Sequence, residues 1–117
     1  MDYELAKQLK DAGFKQGTGT YYLDDTRRAS GPPEFVEHFV AEYEAKDTKV
    51  YKFAYVPTLE ELIEACGEKF HFVGLTGDKP ADQKWAAATL AEILPDYIYA
   101  PTPTEAVARL WLALNKP

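Results

Sequence analysis

A chain of 117 residues is long enough for one domain that buries roughly two thirds of the surface its unfolded form would expose, and too short for two ordinary ones. Hydrophobic residues at 46% with 14% aromatics exclude a disordered chain, and a single cysteine, Cys66, excludes an internal disulfide and a cysteine-based zinc site. Thirteen basic against nineteen acidic side chains leave a net charge of -6, which opposes phosphate-driven binding to DNA or RNA.

The first element expected is a helix over Tyr3 to Ala12, where Leu5, Ala6, Leu9 and Ala12 recur at helical spacing after Asp2, with Gly13 as terminator. This opening is a charged amphipathic pattern, so no secretion signal is expected. Gly17-Thr18-Gly19 breaks the regularity, and Thr20-Tyr21-Tyr22-Leu23 reads as a short strand ended by Asp24-Asp25. Arg27 to Pro33 has the composition of a loop, with Pro32-Pro33 suited to a helix entrance. A second helix is expected over Glu34 to Glu44, because Phe35, Val36, Phe39, Val40 and Tyr43 fall on one helical face.

Lys49 to Tyr55 is a strand on composition. After it, Thr58 and Glu61 form the capping-box spacing that opens a helix burying Leu59, Leu62, Ile63 and Cys66, ended by Gly67. Phe70 to Leu75 reads as another strand and Thr76 to Pro80 as a turn. Lys84 to Leu94 is ambiguous: its alanines, leucines and glutamate favour helix, while its position after a strand and turn suits a hairpin partner. The longest nearly uncharged run, Trp85 to Leu94, is interrupted by Glu92 and is about half the length a bilayer requires, so no membrane span is expected. Finally Tyr99-Ala100 is strand-like, Thr102 caps, Pro103 takes the first helical position, and Ala106, Val107, Leu110, Trp111 and Leu114 make an apolar stripe. These elements define a single α+β domain over residues 1–117, with about four short, mainly antiparallel strands carrying helices on one face.

Three blocks also carry a resemblance. Leu9-Lys10-Asp11-Ala12-Gly13-Phe14, the run Tyr55 to Gly67, and Pro103-Thr104-Glu105-Ala106-Val107-Ala108-Arg109-Leu110-Trp111-Leu112-Ala113-Leu114 together resemble a group of small proteins from phages, prophages and intestinal bacteria. In that group the segment around the tryptophan forms a short strand, which favours the hairpin reading of Trp85 to Thr89, and the tail helix often begins Thr-Pro-Glu-Glu. Thr102 and Pro103 match that start; Thr104 departs from it. The chain also has longer inserts at Asp24 to Asp47 and Ala91 to Ala100, and the resemblance supplies no catalytic residues.

The residues with chemical potential are scattered. His38 and Glu42 would share a face of the expected second helix, yet two ligands do not make a metal site, and a carboxylate beside a histidine is ordinary on a solvated face. His71, between Phe70 and Phe72, reads as a half-exposed strand residue facing away from both rings. Cys66 lies near a helix C-terminus with Glu64 and Glu68 close in sequence, the reverse of what activates a thiolate. Asp24, Asp25, Asp78 and Asp82 fall where turn carboxylates usually make local hydrogen bonds, and Gly17-Thr18-Gly19 lacks the lysine and the following helix of a phosphate loop. No metal and no cofactor is expected.

Tyr21, Tyr22, Arg27 and Arg28 are the candidate binding residues, because tyrosine and arginine are what recognition surfaces use. The plainer reading has one tyrosine facing the core, the other covering it, and the arginines solvated. The expectation is a cytoplasmic, non-catalytic binding protein with homo-oligomerisation open, and the resemblance implies a mobile-element origin and a host protein as partner. The alternative is capture of a nucleotide-like anion by the same four residues with Tyr51 or Phe53. An enzyme ranks third, needing an acid-base pair from His71, Asp24, Asp25 or Asp78, and a sequence-specific DNA reader ranks fourth.

Overall fold

Helix α1 (Tyr3–Asp11) begins where Asp2 Oδ1 accepts a hydrogen bond from the Leu5 N–H at 2.9 Å, satisfying one of the donors that a helix start leaves open. It buries Leu5, Ala6 and Leu9, and Gly13 turns the chain away at φ 94°. The computed structural model describes residues 1–17, 19–25, 34–39, 51–90 and 92–115. They fall into two compact units: Asp2–Pro57, and Thr58–Pro117 together with Met1.

In the N-terminal unit, strands β1 (Gly19–Asp25), β2 (Glu34–Phe39) and β3 (Tyr51–Tyr55) form an antiparallel sheet in the order β2-β1-β3. The register sets Tyr21 opposite Val36 on one side and Tyr55 on the other. Helix α1 packs against β3. The expected helix from Glu34 is therefore corrected: residues 34–39 are a strand, and Val40 to Glu44 lie outside the described residues. Phe35, Val36 and Phe39 fit a helical stripe, but these residue types also favour extended backbone, and the ladder with β1 decides between the two.

The C-terminal unit opens with helix α2 (Leu59–Cys66). The Thr58 hydroxyl accepts from the Glu61 N–H at 3.2 Å while Glu61 Oε1 accepts from the Thr58 N–H at 3.1 Å, so the capping box expected from the sequence is complete. Gly67, at φ 63°, ends the helix. Strands β4 (Phe70–Leu75), β5 (Trp85–Thr89) and β6 (Ile98–Ala100) then form an antiparallel meander in that order. Helix α3 (Pro103–Asn115) starts at Thr102, whose hydroxyl accepts from the Glu105 N–H at 3.2 Å. It packs on the sheet and on α2, burying Ala106, Val107, Leu110 and Trp111.

The alanine-rich stretch is thus a strand. Ala86, Ala87 and Ala88 are buried in the middle of the sheet, where pairing on both sides overrides their helix propensity. The class is α+β as expected, with six strands among the described residues, residues 34–39 joining a sheet where a helix was expected. No helix among the described residues is long and apolar enough to cross a membrane.

Candidate functional site

Of the four residues singled out for binding, Tyr21 and Tyr22 can be placed and Arg27 and Arg28 lie outside the described residues. Tyr21 is 2% exposed; its hydroxyl donates to the Gly17 carbonyl at 2.6 Å and its ring meets that of Tyr55 at 5.2 Å. Tyr22 is half-buried, edge-on to Tyr3 at 5.8 Å. One tyrosine faces inward and its neighbour covers α1, as strand alternation requires. Side chains of residues 51–53, the proposed second-strand aromatics among them, lie outside the described set.

Gly17 has a packing role. A Cβ there would come within 3.0 Å of the Tyr55 ring, and that ring is itself buried. Gln16 adds a lock, its Oε1 accepting from the Tyr55 N–H at 2.8 Å and its Nε2 donating to the Phe14 carbonyl at 2.9 Å. These contacts give the Gly17 segment a structural explanation that no phosphate is needed to complete.

Of the residues considered for catalysis, His38, His71 and Cys66 can each be placed on an element. His38 stands on β2, so the helical spacing that would have paired it with Glu42 is absent, and Glu42 lies outside the described residues. His71 is exposed at an irregularity in the β4–β5 register, its ring edge-on to Phe72 at 6.0 Å. Cys66 is buried on α2, and burial pushes its thiol up to about 11, which keeps it protonated and unreactive at neutral pH. Among the described residues no group of three histidine, cysteine, aspartate or glutamate side chains could hold a metal ion.

What the C-terminal unit does assemble is an aromatic row. Phe72 pairs with Ala88, and Gly74 with Ala86, which in turn pairs with Tyr99; directly opposed residues share a face, so all five lie on one side of the sheet. Tyr97 bridges the two aromatic ends, 5.6 Å from Phe72 and 6.4 Å from Tyr99, edge-on to both. The Lys79 ammonium stands 5.0 Å from the centre of the Tyr99 ring. Lys79 comes from a loop that Thr76 closes, its N–H donating to the Lys84 carbonyl at 2.9 Å and its hydroxyl to the Gln83 carbonyl at 3.1 Å.

Next to this row runs the β5–β6 connection. The buried Thr89 hydroxyl accepts from the Leu94 N–H and donates to the Leu90 carbonyl, both at 3.0 Å, so a single side chain ties both ends of the turn. From that base the connection displays Leu90 at 44%, Ile93 at 38% and Tyr97 at 55% exposure. With Leu75 at 62%, these are the large apolar side chains left exposed among the described residues. Glu92 and Asp96, both exposed, are interleaved with them. Sequence reasoning missed this surface because the segment was read for helix against strand; the available signal was the alternation of apolar and acidic residues from Leu90 to Tyr97. Comparison with family models, with curated proteins and with solved structures gives no match.

Proposed function

We propose that the chain is a non-catalytic binding protein that engages another protein through the β5–β6 connection and the aromatic row beside it. The observation that carries this reading is the concentration of Leu90, Ile93 and Tyr97 on one Thr89-tied connection. Clustered exposed apolar side chains mark interaction surfaces, and an aromatic centre with a polar rim is the usual anatomy of one. Glu92 and Asp96 on the rim suit a partner whose contact surface is apolar and edged with lysine or arginine. The resemblance to phage and prophage proteins supports a mobile-element accessory role in which that partner is a host protein. Affinity capture from a bacterial lysate tests the reading, with Ile93→Ser/Tyr97→Ser run beside the natural chain. A stoichiometric partner held by the natural chain and lost by the equally folded double variant is the expected result. A partner held equally by both would remove the surface from the proposal, and capture of none, at a depth that recovers control complexes, would remove the function.

A second reading has its own observation. Lys79 over Tyr99, with Tyr97 alongside, combines a cation and π-faces as a planar anion would require. This moves the anion-capture alternative away from Tyr21, whose hydroxyl and ring are both engaged inside the N-terminal unit. Thermal stabilisation by a nucleotide panel, lost in Lys79→Ala, is the outcome it requires.

A further inference from the structure

The sheet of the C-terminal unit ends differently on its two sides. Strand β6 is three residues long, and the Arg109 guanidinium donates to the carbonyl of its middle residue, Tyr99, at 3.0 Å. The Lys79 ammonium covers the Tyr99 ring, and the Ala81–Gln83 turn packs beside the strand. Brevity, positive charge and a covering loop are the means by which natural sheets protect an edge. Strand β4 has little of this protection. Among the described residues it pairs with β5 alone, and Phe70-His71-Phe72-Val73-Gly74-Leu75 contains no lysine, arginine, acid or proline. Its one blunting feature is the register irregularity between Phe70 and Phe72, which leaves Phe72–Leu75 as the regular stretch.

We infer that β4 pairs antiparallel with β4 of a second copy of this chain, joining the two C-terminal sheets across a two-fold axis at Val73. The choice of a second copy rests on the strand's self-complementarity. Antiparallel pairing requires opposed residues to share a face, so centring on Val73 sets Phe72 opposite Gly74 of the second copy, and Gly74 opposite its Phe72. Gly74 has no side chain to collide with that ring, and the nearest atom to a Cβ built on it is Phe72 Cε2 of its own strand, at 3.5 Å. An aromatic ring laid over a cross-strand glycine is a favourable arrangement. No formal charge is opposed along the strand, although each copy carries a net charge of -6. Because the β6 edge is guarded, pairing closes at two copies and does not propagate. Leu75, 62% exposed in the single chain, gains cover at the end of the ladder.

So short a ladder buries little area, and the association expected is weak, with a Kd on the order of 100 µM. Sedimentation velocity over a concentration series reads it directly, and Val73→Lys would bring two ammonium groups face to face on the axis. The expected result is a monomer–dimer equilibrium in the natural chain that weakens by at least about tenfold in the variant. Hydrogen exchange on the natural chain guards against a variant that fails to fold: the β4 amides should slow as concentration rises while those of β6 stay constant. A natural chain that stays monomeric to about 1 mM, a dimer that survives Val73→Lys with its circular dichroism unchanged, or β4 exchange independent of concentration would each overturn the proposal. The Ile93→Ser variant, which leaves Tyr97 and its contact with Phe72 in place, should dimerise like the natural chain, so this inference and the binding function fail separately.

Discussion

Cys66 illustrates how far burial alone sets a residue's chemistry. Its thiol, near the end of α2, is pushed from 9.0 up to about 11 by loss of water around it. Well below pH 9 the thiol is protonated in both folded and unfolded chains and contributes no pH dependence. Between 9 and 11 the unfolded chain gives up the proton while the folded one retains it, so stability falls as pH rises through that window. Comparison with Cys66→Ala isolates the thiol. The urea midpoint of the natural chain should drop more between pH 8.5 and pH 10.5 than that of the variant, and equal drops would contradict the assignment. The inert, buried role of this cysteine was legible in its spacing from Leu59, Leu62 and Ile63. The Tyr21-Tyr22 pair was legible only to the point that one ring would be inside. Which one depends on the register with Tyr55, a pairing far enough away in sequence that composition does not encode it.

Among the elements, helix starts were the easiest to read, because a cap is a local arrangement whose partners lie three residues apart. Thr58 and Glu61 satisfy each other's backbone donors, and Thr58→Ala should cost about 1 kcal/mol in chemical denaturation. Thr58→Asn, which retains a side-chain acceptor, should lose much less; an equal loss would mean that the hydroxyl acts other than as a cap. Strands were harder to read wherever two periodicities fit the same residues. Residues 34–39 satisfy a helical stripe and a β ladder about equally well, and only pairing with β1 separates them. Residues 85–89 carry helix-forming alanines in the centre of a sheet, where a small side chain suits the space beneath Phe72 and next to α3. The surface proposed for binding was hidden for a related reason. Exposure of Leu90, Ile93 and Tyr97 follows from the Thr89 tie and from where β5 stops, and neither is a property of the residues displayed.

For the whole molecule, the sequence points to one cooperative domain over 117 residues, while the described residues divide at Pro57–Thr58 into two compact units. Calorimetry distinguishes the alternatives. If the chain unfolds as one core, a single transition should appear with calorimetric and van't Hoff enthalpies equal; two transitions, or a ratio well above unity, would mean that each unit melts by itself. Among the described residues every strand pairing lies within one unit: β1 with β2 and β3 on one side of residue 57, β5 with β4 and β6 on the other. The helix that follows the division has its own complete start in Thr58 and Glu61.

That arrangement has a genetic consequence. Among the described residues, a crossover between codons 57 and 58 would sever no ladder pairing, and it would hand the downstream half a ready-made helix cap. The acidic apolar surface carrying Leu90, Glu92, Ile93, Asp96 and Tyr97 would be inherited entirely on the second half.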